Sequence, residues 1–182
     1  MRVIAGSARG KVLEALPGED VTRPTIDRVK EAMFSSVQFL VPGARVLDLF
    51  AGSGQLGIEA LSRGAKSCTF VDRSEDAIRV VANNCRAARV DRQASIRHSE
   101  ALSFLATARG PFDLVLLDPP YHHDTLQEVL PALEHCVAQG GVVLCESESE
   151  ANLPETVGTL HLQKQYKYGK IKVSRYEREG QE

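Results

Sequence analysis

Short apolar runs alternate with longer segments of helical periodicity through the middle of the chain. The apolar runs are predicted as strands at 44–50, 66–72, 94–99, 112–118 and 141–146. The segments between them repeat apolar residues every three or four positions and are predicted as helices at 55–64, 75–90, 100–108 and 123–140. Apolar strands separated by amphipathic helices are typical of a parallel sheet covered on both faces. The pattern therefore predicts a doubly wound α/β domain.

The segment before the first predicted strand does not follow this alternation. A small hairpin is predicted over 2–16. An amphipathic helix is predicted over 22–40, with Thr25 as a candidate N-cap. We place a boundary near Pro42-Gly43, just before the first strand. The prediction is therefore an N-terminal hairpin-plus-helix extension of residues 1–42, followed by the main domain, residues 43–182.

The composition fits one such domain. With 182 residues, of which 43% are hydrophobic and 25% charged, the chain is long enough for one well-filled core and short for two domains. Its four cysteines include no Cys-x-x-Cys pair, so neither a zinc site nor a disulfide is expected. The N-terminus lacks an apolar signal segment, and no apolar run is long enough to span a membrane. We expect a cytoplasmic monomer without a metal ion or a membrane partner.

The two ends of the chain carry its positive charge. The net charge of -2 gives no general attraction to nucleic acid. Residues 160–178 alternate around Tyr168-Gly169-Lys170, which is typical of an antiparallel hairpin at a sheet edge. The cations of the two ends are Arg2, Arg9, Lys11, Lys164, Lys167, Lys170, Lys172 and Arg175. Both ends are candidate phosphate-binding surfaces, although solvated segments have the same composition.

A glycine-rich loop follows the first predicted strand. In DLFAGSGQLG, residues 48–57, three glycines satisfy the spacing G-x-G-x-x-G, and Asp72 ends the next strand, where an acid that binds a ribose is expected. These features alone are compatible with NAD, with S-adenosylmethionine (SAM) or with a structural turn. Asp48 favours SAM. A carboxylate beside the glycines repels the negative pyrophosphate of a dinucleotide but stabilises the positive ammonium and sulfonium groups of SAM.

The strand predicted over 112–118 ends in Asp118-Pro119-Pro120-Tyr121. Proline has no N–H group, so the chain cannot continue the sheet there, and the loop is stiff. The Asp118 carboxylate and a carbonyl freed from the sheet can both accept from one group with two N–H donors, such as the exocyclic amine of a nucleobase. Tyr121 offers a flat face on which the base can stack. Holding both hydrogens turns the lone pair of the amine toward a methyl donor, so positioning supplies much of the rate.

These motifs resemble a broad class of known proteins and, more specifically, one family. LDLFAGSG, FVD and LLDPPY resemble the SAM-dependent amino-methyltransferases. TRPTIDRVKEAMF, GARVLDLFAGSGQLGIEALSRGA and the late KYGKIKVSRY resemble the bacterial RsmD family over nearly the whole chain. The resemblance implies a Rossmann-like class I methyltransferase with a mostly parallel, seven-stranded sheet. It also implies methyl transfer from SAM to the N2 amine of one guanine in 16S rRNA, of the guanine-966 type, within an assembling small ribosomal subunit.

The resemblance assigns site residues position by position. The cofactor is assigned to Asp48, Phe50, Ala51, Gly52, Ser53, Gly54, Asp72, Arg73, Glu100, Ala101 and Asp118. The guanine is assigned to Asp118, Pro119, Pro120 and Tyr121. The resemblance assigns the RNA to Arg23, Thr25, Arg28, Lys167 and Lys170, and the charge of the N-terminal segment adds Arg2, Arg9 and Lys11 as candidates. The chain departs from the family where HSEAL, residues 98–102, stands in place of a Gly-Asp pair, which affects the adenine contact of Glu100.

Two other functions stay open. A DNA or RNA adenine-N6 methyltransferase shares the motif of residues 118–121. Against DNA as the substrate, the chain has no inserted segment large enough to recognise a DNA target. A non-catalytic module that binds nucleotides or NAD leaves the same motif without a purpose.

Overall fold

An eight-stranded sheet runs through the centre of the protein, whose computed structural model describes residues 1–17, 24–120 and 124–180. The strands are β1 (Arg45–Asp48), β2 (Ser67–Asp72), β3 (Ala94–His98), β4 (Phe112–Leu117), β5 (Val137–Glu148), β6 (Thr156–Val157), β7 (Leu160–Tyr168) and β8 (Ile171–Arg178). The helices are α1 (Pro24–Ser36), α2 (Gln55–Ser62), α3 (Glu75–Ala87), α4 (Ala101–Thr107) and α5 (Thr125–Leu133). None of the described helices has the length and apolar character that crossing a membrane requires.

The strand order β3-β2-β1-β4-β5-β8-β7-β6 is doubly wound. Strands β1 to β5 are parallel, while β8, β7 and β6 are added in antiparallel fashion beyond β5. The winding reverses between β1 and β4, the position at which ligands bind in open α/β sheets. The sequence predicts seven strands, whereas the described residues form eight. The additional strand, β6, has two residues, which is too few to produce an alternating pattern.

The helix predicted over 123–140 ends earlier than its sequence pattern suggests. Helix α5 ends at Leu133, a short 3-10 turn follows at Glu134–Cys136, and β5 begins at Val137. Val137 is buried and pairs with Phe112, so its contact with β4 decides the conformation of a segment whose local pattern also fits a helix. Pro131 lies inside α5 and neither starts nor ends it.

The N-terminal segment packs onto the main sheet. The predicted hairpin is reduced to one antiparallel bridge between Arg2 and Val12, and the predicted helix is shortened to α1. Its buried side chains join the core that also contains Val46 of β1 and Leu114 of β4. They are Val3, Leu13, Val29, Met33, Phe34 and Val37. The domain boundary at Pro42-Gly43 stays a prediction, and the N-cap role of Thr25 rests on a side chain outside the described residues.

Alternate strand residues fill two separate cores. Val46, Leu114 and Leu144 belong to the core beneath α1, α2 and α3, while their neighbours Leu47 and Val115 belong to the core beneath α4 and α5. Because successive side chains of a strand point to opposite faces, strands buried on both sides must be apolar throughout. The polar residues are thereby left to the strand ends, where the site lies.

Candidate active site

The carboxyl ends of β1 to β5 open into a cleft of about 1060 Å³. Twelve of the residues assigned to the cofactor and the guanine line it: Asp48, Phe50, Ala51, Gly52, Ser53, Asp72, Arg73, Glu100, Ala101, Asp118, Pro119 and Pro120. Of the assigned residues that the structure describes, Gly54 does not line the cleft. Tyr121 lies outside the described residues, as do His122 and His123. Residues from four strand ends, up to 70 positions apart in the sequence, therefore meet in one cavity.

The glycine loop owes its shape to backbone conformations that favour glycine. Gly52 and Gly54 have φ angles of 56° and 85°, in the left-handed region, and Gly54 caps the first turn of α2. Gly57 is required for packing, because an added Cβ would lie 2.3 Å from Cε1 of Phe70 on β2. The loop can therefore bring its backbone close to a ligand while α2 packs closely on the sheet.

Asp48 is a buried carboxylate, and within the described residues only one of its two oxygens has a hydrogen-bond partner. Its side chain is 1% exposed, and the Gly57 N–H donates to its Oδ2 at 3.0 Å. Oδ1 has no hydrogen-bond partner within the described part of the chain. Burial, with a smaller contribution from the nearby charge of Asp72, raises the pKa of Asp48 to about 7, although the hydrogen bond from Gly57 N–H acts in the opposite direction. A cationic ligand with N–H donors would satisfy the oxygen and favour the ionised form.

Asp72 shapes the same loop from the end of β2. Its Oδ2 accepts from Gly52 N–H at 2.9 Å, and its Oδ1 accepts from Ser74 N–H at 2.8 Å. Each carboxylate oxygen can accept a further hydrogen bond, because it has two lone-pair directions. Asp72 can therefore hold the glycine loop and still accept from a ligand hydroxyl, although its assignment to the ribose stays a prediction.

Asp118 follows β4 directly and lines the cleft with Pro119 and Pro120. Pro119 is buried and Pro120 is exposed, so the tip of β4 is fixed on one side and open on the other. Asp118 is half-buried, on the same cleft as Asp48. The structure thus brings the proposed amine acceptor and the proposed cofactor site together. The assignment of these residues to a guanine stays a prediction.

Several residues of the cleft were missed by the sequence reasoning. Glu146 lines it from β5, and its signal in the sequence is an acid at the end of an apolar run, as for Asp118. Gln55 lines it from the start of α2, and its Oε1 is a second buried acceptor for which the described residues provide no partner. Leu16 and Pro17 form part of the wall. No local pattern in the sequence identifies these last two.

Comparison with known proteins assigns the family. Residues 1–177 match the family model described as conserved hypothetical protein 95. The ribosomal RNA small subunit methyltransferase D of Escherichia coli (strain K12) is 34% identical over 100% of this chain and 91% of the relative. The chain belongs to the RsmD family. The YlbH protein of Bacillus subtilis (strain 168) is 40% identical over 99% of this chain and 100% of its own length, so the similarity to these relatives is global.

Solved structures give the same result for the fold. The yhhF protein of Escherichia coli superimposes with a TM-score of 0.85 at 34% identity, over 100% of this chain and 99% of that chain. An RNA methyltransferase of Salinibacter ruber in complex with S-adenosyl-L-homocysteine has a TM-score of 0.67 at 17% identity, over 89% and 96% of the two chains, which supports the fold alone. With RsmD family membership, the predictions of a Rossmann-like fold and of a SAM-dependent methyltransferase are confirmed.

The residues present fit the cofactor of the RsmD family. Two buried acceptors, Asp48 Oδ1 and Gln55 Oε1, lack a partner within the described residues and lie on one cleft, while SAM carries an ammonium group. The cleft also exceeds the volume of about 300 to 1,000 Å³ that is usual for ligand sites. Which residue contacts which part of SAM stays a prediction.

The residues assigned to RNA are exposed where they are described. Arg2, Arg9, Lys11, Arg28, Lys167 and Lys170 are all exposed. Arg23 and the side chain of Thr25 lie outside the described residues. Two cations of the C-terminal hairpin instead have structural roles: Lys172 is buried and donates to the Ala151 carbonyl, and Arg175 donates to the Ser36 carbonyl. The assignment to RNA stays a prediction, and we restrict it to the exposed cations.

Proposed function

We propose that the chain transfers a methyl group from SAM to the exocyclic N2 amine of one guanine in 16S rRNA, of the guanine-966 type. The observation that carries the proposal is the Asp118-Pro119-Pro120 tip on the same cleft as Asp48 and the glycine loop. A rigid acceptor for an amine and a site for a methyl donor thus share one cavity. The names of the Escherichia coli and Bacillus subtilis relatives support ribosomal RNA as the substrate.

The proposed mechanism rests on positioning. When bound, SAM supplies a methyl group on a positively charged sulfur. The Asp118 carboxylate accepts one N–H of the guanine amine, and a backbone carbonyl of the proline tip accepts the other. Since both acceptors are held by a stiff loop, the lone pair of the amine is directed out of the ring plane. Tyr121 is assigned to stack on the base, and the Asp118 carboxylate is suitably placed to take up the proton that the amine releases.

The test of this function is the position of the methyl mark. Mass spectrometry of ribosomal RNA from cells lacking the protein is expected to show the loss of one N2-methylguanine from the small-subunit RNA. In vitro, the protein is expected to methylate protein-free 16S rRNA or partly assembled small subunits, and not duplex DNA. Methylation of adenine instead would support the N6 alternative, and tight binding of NAD without binding of SAM would support the non-catalytic one.

We further propose that the natural partner is an assembling small subunit and that the enzyme acts as a monomer in the cytoplasm, where ribosomal RNA is found. Native mass spectrometry of the protein with and without partly assembled subunits tests both statements. A stable homodimer, or a preference for naked RNA over the particle, contradicts them.

The turn between β7 and β8 is the proposed basic rim of the RNA site. Lys167 and Lys170 are exposed, and the Lys170 carbonyl accepts from the N–H of Ser149, just beyond β5. Replacing both lysines with glutamate is expected to weaken RNA binding and to lower the slope of log affinity against log salt by about 2, since each phosphate contact contributes about 0.9 to the slope. The affinity for SAM is expected to stay unchanged.

The matched control replaces Lys66 and Arg92 with glutamate. Both are exposed, but they lie just before β2 and β3, at the opposite ends of the strands from the cleft. The control makes the same change in net charge and is expected to leave most of the salt slope intact. Equal effects of the two double variants would mean that net charge, rather than the basic rim, controls RNA binding.

A further inference from the structure

Asn84 is a buried polar residue on the face of α3 that packs against the core. It is 2% exposed, and its helical neighbours on that face, Val80, Val81 and Cys85, are apolar. Its side chain makes three hydrogen bonds. Nδ2 donates to the Ser53 carbonyl at 2.8 Å and to the Glu14 carbonyl at 2.9 Å, while Oδ1 accepts from the Glu14 N–H at 2.8 Å. A buried amide is costly unless it is satisfied, and this one is satisfied by two distant segments.

The two segments that Asn84 joins both form the cleft. Ser53 belongs to the glycine loop and lines the cleft. Glu14 lies two and three residues before Leu16 and Pro17, which line the cleft from the N-terminal segment. One side chain therefore sets the position of the glycine loop relative to a wall that belongs to a different part of the chain.

The rest of the N-terminal segment is anchored to α2. The buried Glu59 carboxylate accepts from the Ile4 and Ala5 N–H groups at 2.8 and 3.1 Å, and Ser62 Oγ accepts from the Ala8 N–H at 2.9 Å. These anchors lie at the beginning of the segment. The bonds of Asn84 lie at its other end, two to three residues before the lining residues Leu16 and Pro17, so Asn84 is the anchor nearest to the cleft among these three.

We propose that Asn84 is a positioning residue for the cofactor, acting through Glu14 on the wall formed by Leu16 and Pro17. It does not line the cleft itself. It holds Leu16 and Pro17 in place relative to the glycine loop. The two walls of the cleft therefore have the spacing that the cofactor requires before the cofactor binds. Preorganisation of this kind raises affinity because less ordering remains to be done on binding. The inference rests on the proposed function in one respect, since it takes the cleft to be the SAM site.

The test compares Asn84→Ala with Asn83→Ala. Asn83 is the adjacent residue of α3, is half-buried, and is 3.4 Å from the Glu14 carboxylate through its Nδ2, so its loss leaves the backbone of Glu14 anchored. In calorimetry, Asn84→Ala is expected to weaken SAM binding about tenfold and Asn83→Ala by less than about twofold. In methylation assays, the KM for SAM is expected to rise in Asn84→Ala with kcat changed only a few fold, because Asp118 is untouched.

A merely structural role predicts a different result. Asn84→Ala would then lower the Tm while its SAM affinity, measured well below that Tm, matched the wild type, and the inference would be overturned. Should Asn84→Ala fail to fold, hydrogen exchange of the wild-type chain decides. SAM is expected to slow exchange in residues 13–16 together with residues 52–58, and an unchanged rate in 13–16 overturns the inference. A wild-type chain that does not bind SAM at all would overturn the proposed function as well.

Discussion

Asp118→Ala is expected to lower kcat by at least about 10²-fold while leaving the affinity for SAM within about threefold of the wild type. The reason is the position of Asp118, which follows β4 and lines the cleft but is not part of the glycine loop. In the proposed mechanism its carboxylate holds the amine rather than the cofactor. Single-turnover methylation of 16S rRNA gives the rate, and calorimetry gives the SAM affinity.

Two comparisons sharpen this prediction. Asp118→Asn preserves the size of the side chain and one acceptor oxygen but lacks the negative charge that takes up the proton, so its kcat is expected to lie between those of the wild type and of Asp118→Ala. Asp124→Ala removes an exposed carboxylate that precedes α5 and makes no capping hydrogen bond, and it is expected to retain activity. Loss of SAM affinity in parallel with kcat would assign Asp118 to the cofactor instead.

The parts of the site that the sequence predicted share one property: their signal is local. Asp118 ends an apolar run, Asp48 lies in the run that leads into the glycine loop, and the glycines lie at fixed spacing within ten residues. Parallel strands bring their carboxyl ends to one edge of the sheet, so an acid at the end of each run is placed near the others without knowledge of the packing. The same logic applies to Glu146, which was overlooked although it is preceded by an apolar run.

The parts that were missed depend on contacts between distant residues. Val137 was placed in a helix because the preceding pattern is helical, whereas its pairing with Phe112 makes it the start of β5. The charge pattern places Lys172 among the cations of a candidate phosphate-binding surface, whereas its side chain is buried and donates to the Ala151 carbonyl. Asn84 attracts no attention in the sequence, since an asparagine in an amphipathic helix is usually solvated; its role depends on Glu14, seventy residues away.

Asp48→Asn is expected to remove the pH dependence of stability that Asp48 imposes on the protein without ligand. Burial raises the pKa of Asp48 from an ordinary value of 3.8 to about 7. Between these two values the folded protein keeps the proton that the unfolded chain loses, so the free energy of unfolding falls as the pH rises. At about 1.4 kcal/mol per pKa unit, the loss attributable to Asp48 approaches about 4 kcal/mol by pH 8. Asparagine does not titrate, so Asp48→Asn should lack this pH-dependent loss of stability.

Urea unfolding of the two proteins from about pH 4 to about pH 8 measures this difference directly. The asparagine introduced by Asp48→Asn can still accept from Gly57 N–H, but its NH₂ group lacks an assigned partner, which costs about 1–3 kcal/mol at every pH. The variant is therefore expected to be less stable than the wild type near pH 4 and more stable near pH 8. Because all other titrating groups are common to both proteins, parallel stability curves would show that Asp48 does not titrate in this range.

The same carboxylate should make the binding of SAM depend on pH in the opposite direction. SAM brings a positive charge to the cleft, so the ionised form of Asp48 binds it better, and protonation of Asp48 competes with binding. The wild-type affinity is expected to fall by up to about tenfold for each pH unit below about 7, whereas Asp48→Asn should bind weakly and with little dependence on pH. Calorimetry between about pH 5.5 and about pH 8 distinguishes the two curves. A wild-type affinity that stays constant over this range would remove Asp48 from the cofactor site, since the buried Oδ1 would then gain nothing from the ligand.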